Sequence, residues 1–307
     1  MSDLVTLIGV DGANPLGFMA SLGLLRVIRD ARKSGRLSFS DDGMFRARVT
    51  VDFDARTLPE LVADDAARWA GAAALGLRYE KTEKNGTKVV ADLKAPPDVF
   101  RSFMEAAIEA WQTGNLDPAA YATAFGTSEA RDGKGVSTKP TAFHFTAANQ
   151  TFLGIAEETR GRVTADWARR SLFEGFAAEP GKNLRWDPGA DRNWALMASN
   201  PNVEGTQVDA PLEWLAVRGL ALLPTFPVKD RIVTTAVEGT RADDYVFAWP
   251  MWSAPAGPAT VAALLAADWQ RVSVRDRRAR GIIALCRSAV RRSSQGFGNF
   301  GPASIEP

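Results

Sequence analysis

Residues 4–28 read LVTLIGVDGANPLGFMASLGLLRVI, and the order strand, turn, helix is legible in them. Residues 4–10 are short, apolar and partly β-branched, as a buried strand is. Gly9 and Gly12 bracket a turn. Asn14 is a good N-cap, because its side chain accepts from the N–H groups that a first helical turn leaves unpaired. Pro15 suits the first helical position, where a missing N–H costs nothing. Leu16, Met19, Leu22, Gly23, Leu25 and Val27 supply the apolar positions of a helix over 15–31. Arg26, Arg29, Arg32 and Lys33 follow where the negative helix end attracts cations.

Working outward, strands are predicted at 36–40 and 45–53, joined through Asp41-Asp42-Gly43, and a long Ala-rich helix at 58–77. Asn85-Gly86 between alternating segments signals a hairpin. Helices are expected at 97–112, 118–124, 149–159, 163–177, 211–223 and 258–268, and strands at 229–238, 243–250 and 281–290. Residues 126–140 read as an exposed loop. Residues 178–210, rich in Pro, Asn, Asp and Gly, read as a linker or long functional loop. The expected fold class is α+β, helices with small antiparallel sheets and no Rossmann or P-loop signature. An N-terminal α+β domain would span 1–177 and a C-terminal α+β region 211–307, one continuous domain being the alternative.

The chain has 307 residues and a formal net charge of +1. No apolar run reaches the ~20 residues of a membrane span. The start, MSDLVTLIGVDG, lacks the basic region of a signal peptide. With the single cysteine, Cys286, this gives the expectation of a reducing, cytoplasmic setting. One histidine, His144, and one cysteine cannot build a zinc site of the usual nitrogen and sulfur ligands. They form a Cys–His nucleophile pair only if the fold joins them. There is no G-x-S-x-G, and Ser128 stands where a Walker loop ending at Gly133-Lys134 needs glycine. No cofactor is expected.

The net charge conceals a gradient. Residues 271–292, RVSVRDRRARGIIALCRSAVRR, carry eight arginines against Asp276, a local +7 that leaves −6 for the rest. Arginine forks match phosphate oxygens and stack on bases. Arg275, Arg277, Arg278, Arg280, Arg287, Arg291 and Arg292 are therefore candidate phosphate contacts, with Phe297 and Phe300 of the following tail as candidate stacking residues. Lys134 and Lys139 would reach nucleic acid from their loop, beside Phe143, His144, Phe145, Asn149 and Gln150. A solvated face with inward-packed phenylalanines is the structural alternative. Nine tryptophans should be mostly core, although Trp186, Trp249 and Trp252 sit by prolines where a ring could stack on a base. Asp52 and Asp54, two apart on a predicted strand, would face one side and could hold Mg²⁺, which defines an alternative: a metal-dependent nuclease or hydrolase. A third reading is an adaptor whose arginines pair with an acidic protein.

Seven stretches in order, GVDGANPLGFMASLGLLRVI (9–28), PTAFHFTAANQTFL (140–153), RWDPGADRNWALM (185–197), GLALLPTFPV (219–228), FAWPMW (247–252), RARGIIALCRSAVRR (278–292) and GFGNFGPA (296–303), resemble the short large-subunit-like proteins of type I-U/I-G CRISPR effector complexes. The resemblance covers most of the chain. It implies a non-enzymatic subunit of a prokaryotic antiviral surveillance complex, with guide RNA, target DNA, the other effector subunits and a helicase–nuclease as partners and no membrane. It transfers no catalytic residue. The modest length leaves less room for the C-terminal helical bundle of longer large subunits.

Overall fold

The computed structural model describes residues 3–83, 86–147, 149–175, 177–190, 206–229, 231–292 and 296–306. Strand β1 (Asp3–Asp11) leads into α1 (Pro15–Asp30), then β2 (Gly35–Phe39), β3 (Arg46–Val51) and α2 (Leu58–Arg68). Hairpin β4 (Tyr79–Glu83) and β5 (Gly86–Val90) precedes α3 (Pro97–Gln112) and α4 (Asp117–Phe125). Hairpin β6 (Gly126–Arg131) and β7 (Thr138–Pro140) precedes α5 (Phe152–Arg160) and α6 (Ala165–Phe173). Short strands β8 (Glu179–Pro180) and β9 (Gln207–Val208) pair ahead of α7 (Ala210–Gly219). Then follow β10 (Thr225–Val228), β11 (Arg231–Thr234), β12 (Val237–Glu238), β13 (Val246–Trp252), α8 (Pro258–Ala266), α9 (Val274–Ala279), β14 (Ile282–Arg292), β15 (Gly298–Phe300) and β16 (Ser304–Glu306). The fold is mixed α+β, as expected, with small antiparallel sheets and no closed barrel among the described residues.

Asn14 caps α1 as its side chain suggests, its Oδ1 accepting from the Leu16 N–H at 2.9 Å. Every residue of α1 from Pro15 to Ile28 is buried, and so is all of α7. The two helices meet backbone to backbone at Gly23 and Gly219. A Cβ on Gly23 would lie 1.7 Å from the Leu215 carbonyl oxygen, and one on Gly219 2.3 Å from that of Met19. Arg218, beside that crossing, is wholly buried. It donates to Asp65 at 3.0 Å, to the Tyr121 hydroxyl at 2.8 Å and to Asp30 at 2.5 Å, with its guanidinium 3.8 Å from the Trp69 ring centroid.

Two sheets pack against α1. One has the order β1-β3-β2; the other runs β12-β13-β14-β15, with β16 also on β14. Trp249 Nε1 donates to the Gly12 carbonyl at 2.9 Å and Trp252 Nε1 to that of Leu37 at 2.7 Å, which pins the second sheet to the first. Phe18 stacks between Phe39 and Trp249. One apolar cluster runs from Leu7 to Phe300, so residues on both sides of the 178–210 stretch share it. No helix among the described residues is long and apolar enough to cross a membrane.

Several sequence expectations need correction. The helix predicted over 58–77 stops at Arg68, because Gly71 takes a left-handed conformation at φ 68° that an α-helix cannot continue through. Residues 126–140 are a hairpin rather than an exposed loop; Thr127, Ser128, Ala130 and Thr138 are buried, and exposure is greatest around 131–136. The strand predicted at 229–238 resolves into β11 and β12, preceded by β10, and the tail holds β15 and β16. Asp52 and Asp54 lie beyond the end of β3 rather than on it.

The Gly23–Gly219 crossing leaves no space for a methyl group. Gly219→Ala should lower unfolding stability by about 3 kcal/mol in a denaturant titration. Gly133→Ala, with nothing within 4 Å of the added Cβ, should stay within about 0.5 kcal/mol of the parent. Equal stabilities would refute the tight crossing.

Candidate nucleic-acid interface

The arginine-rich stretch folds as α9 followed by β14, and this divides its side chains. Ser273 caps α9: its Oγ accepts from the Asp276 N–H at 3.1 Å and donates to the Asp276 carboxylate at 2.8 Å, which occupies the one acid of the segment. Arg275 and Arg278, three residues apart, share a face of the helix. Both are exposed, as is Arg280 at its end, and none of the three has an acidic partner among the described residues. Arg277 turns inward instead. It is buried 3.9 Å from Glu306, with Nε and one terminal nitrogen lacking any hydrogen bond.

Along β14 the two-residue period does the same sorting. Ala284, Cys286, Ser288 and Val290 are buried, whereas Arg287 and Arg291 lie on the opposite face with Ala289. Arg287 is forked to Glu238 of β12 at 2.7 and 3.3 Å, and Arg291 is exposed. Arg292 is half-buried, with its Nε donating to the Ala242 carbonyl at 3.0 Å and its guanidinium 5.9 Å from the Phe145 ring centroid. Of the seven arginines singled out in the sequence, Arg275, Arg278, Arg280 and Arg291 are exposed. Arg277 is corrected to an interior residue, and Arg287 and Arg292 are engaged within the fold.

The two phenylalanines separate too. Phe300 is not a stacking platform: it is wholly buried against Phe143, Phe145 and Phe247. Phe297 is half-buried, with the Arg185 guanidinium 4.3 Å from its ring centroid. Trp186, Trp214, Trp249 and Trp252 are core, so the base-stacking role considered for the proline-flanked rings is withdrawn; Trp194 lies outside the described residues. Among the described residues the exposed tryptophan is Trp111, on α3.

Lys134 is exposed at the β6–β7 turn, where the Asp132 carboxylate accepts from the N–H groups of Lys134 and Val136 at 3.2 and 3.0 Å. Lys139 is half-buried on β7. Lys94, which no sequence signal marked, is near both Asp132 and Arg292. Lys94 is solvent-exposed, but partial desolvation by the surrounding protein first, and the Arg292 charge after it, lower its ammonium below the usual lysine range despite Asp92. Arg36, Arg46 and Arg48 line the outer face of the first sheet. The alternation RARVTV over 46–51 was the signal that could have found two of them.

Among the described residues the catalytic alternatives find no assembled site. Asp54 spends its oxygens on Arg56 at 2.9 to 3.2 Å, and Asp52 accepts from the Ser34 N–H at 3.3 Å. Among the described residues no group of three or more His, Cys, Asp or Glu side chains could hold a metal. Cys286 faces the core, and its thiol is pushed up to about 12 by burial and then by Asp11, so it is not a thiolate at neutral pH. His144 is a buried structural residue whose Nε2 lies 2.9 Å from Asp92 and 3.1 Å from the Thr146 hydroxyl. Burial acts to raise Asp92, but His144 and the Phe152 N–H together hold it below the usual carboxylate range.

The described part of 178–210 is anchored. Trp186 Nε1 donates to the Phe143 carbonyl at 3.0 Å, Asp187 accepts from Asn14 Nδ2 at 3.0 Å, and the Leu184 N–H donates to Glu213. Residues 191–205 lie outside the described residues. No protein-family model and no curated protein sequence matches the chain.

Glu213 under this anchor is wholly buried, and its carboxyl is pushed up to about 8 by burial, against the opposing pull of the Leu184 N–H. Its pKa is higher folded than unfolded, so its contribution is present below about 4.5 and lost as pH rises toward about 8. Glu213→Gln keeps the carbonyl acceptor and removes the titration. Thermal unfolding of the two proteins should coincide near pH 5, and the variant should become the more stable one above pH 8. A constant difference across that range would show that Glu213 does not titrate there.

Proposed function

We propose that the chain is a nucleic-acid-binding protein without its own catalysis. More specifically, we propose a subunit of a type I CRISPR surveillance complex that contacts guide RNA, target DNA or both near the flanking motif. The observation that carries the first step is the exposed set Arg275, Arg278 and Arg280, none of which is ion-paired to an acid among the described residues although Asp276 shares their helix, in a chain whose charges otherwise nearly cancel. A surface with only a solvation role is commonly mixed in sign. Three exposed arginines against one acid, none of them ion-paired, suit phosphate, whose oxygens the guanidinium fork matches. Support for the second step is the ordered set of seven stretches that resemble the family. The two are mutually consistent, because in a guide-directed complex base pairing reads sequence and the protein mainly needs backbone contacts.

Counterion release supplies the test. Binding of the full chain, alone and assembled, to single-stranded nucleic acid should weaken steeply between about 50 and 200 mM salt. Replacing Arg275, Arg278 and Arg280 together by alanine should reduce the slope of log affinity against log salt by about 2, at ~0.7 per phosphate contact. An unchanged slope would remove these arginines from the interface.

A further inference from the structure

The outer face of the β13–β14 pair floors a cavity of about 700 Å³. That lies within the roughly 300–1,000 Å³ of small-ligand sites. Ala248 and Arg287, cross-strand partners, lie on its floor with Pro250 and Leu285. Leu265 and Trp269, at and just after the end of α8, form one wall. Phe226 and Val233, opposed across the β10–β11 hairpin and 51% and 45% exposed, form the other.

The charged groups of the lining are the Glu238–Arg287 fork and the exposed Asp268–Arg271 pair, with Thr234, Thr235 and Gln270 as its neutral polar residues. The fork has no net charge. An anion would have to take Arg287 from Glu238, and a cation would have to take Glu238 from Arg287. A neutral ring edge that carries both donors and acceptors can bond the remaining carboxylate lone pairs and guanidinium N–H groups without parting the pair. Apolar and aromatic walls suit the faces of such a ring.

Nucleobases have that combination of flat apolar faces and a mixed donor and acceptor edge. The position of the cavity supplies the rest. Arg271, with a side chain 88% exposed, stands on its lining three residues before α9, and it pairs with Asp268 at 3.0 Å, an exposed pair of the weak kind. A strand whose phosphates follow Arg271, Arg275 and Arg278 would therefore pass beside a cavity large enough to admit a base.

We propose that this cavity binds one unstacked nucleobase of a single-stranded nucleic acid, held between the walls and bonded at its edge by Glu238 and Arg287. The proposal rests on the nucleic-acid reading above and names the subsite that would give it contact with bases.

Ala266 lines the cavity and is solvent-exposed, so Ala266→Trp occupies part of the space from outside the core. The probes are a mixed-sequence single-stranded DNA and an abasic strand of equal length, each bound to the full chain and followed by fluorescence anisotropy. Ala266→Trp should weaken binding of the base-bearing strand about tenfold, the scale of one stacked base, and that of the abasic strand less than about twofold. Glu238→Gln, which breaks the charged fork at constant size, should act in the same direction, and thermal unfolding checks that each variant is folded. Arg275→Ala with Arg278→Ala should weaken both strands alike. If the cavity variants leave both strands unaffected while the arginine variant weakens both, the base site is refuted and the nucleic-acid reading stands. If the parent chain binds neither strand, both fall.

Discussion

The contact between the backbones of α1 and α7 at Gly23 and Gly219 is the constraint on which the rest of the structure depends. With 1.7 and 2.3 Å separating a hypothetical Cβ from the facing carbonyl oxygens, no other residue type fits without moving a helix. That closeness joins residues nearly two hundred positions apart and makes one core of the two halves. It also places Arg218 where it can gather Asp30, Asp65 and Tyr121 from three other helices. A charge buried this deeply is tolerated only when it is fully partnered. Trp69 above the guanidinium and Trp214 donating to Asp65 at 3.1 Å complete the set. The cluster thereby links the registers of α1, α2, α4 and α7.

The second sheet is hung on this frame by two indole N–H groups, and the frame determines what its arginines can do. Once Trp249 and Trp252 fix the inward face of β13, the antiparallel register fixes which side chains of β14 face out. Arginines that the sequence presents as one run become two populations. Arg277 and Arg292 are absorbed by the fold, while Arg275, Arg278, Arg280 and Arg291 are presented to solvent. The count of +7 therefore overstates the exposed charge, and the cavity beside Arg287 draws its polarity from a residue counted as surface.

Local signals in the sequence were reliable where local chemistry decides the outcome. Asn14-Pro15 marks the start of α1 because cap and first-turn geometry involve only neighbouring residues, and the bounds of α3 at 97 and 112 match the expectation for the same reason. The end of α2 was hidden because the Ala-rich run continues past Gly71, whose positive φ ends the pattern without altering composition. The hairpin at 126–140 was hidden because its buried residues, Thr127, Ser128 and Thr138, are polar and earn burial through distant bonds: Thr138 donates to the carbonyls of Leu93 and Ala95. At the candidate site the alternation along β14 was visible. The Glu238 partner of Arg287, 49 residues away, was not, and neither was the burial of Phe300 beside a half-exposed Phe297. Those depend on strand pairing, which a single sequence does not encode locally.

The central claim is that the outward surface of α9 and β14 meets nucleic acid. Ultraviolet cross-linking of the chain to single-stranded nucleic acid, followed by mass-spectrometric mapping of the modified peptides, tests it most directly. The account predicts adducts concentrated in residues 269–292 and at the cavity wall around Phe226. Adducts confined to other surfaces, such as α3 around Trp111, would contradict it.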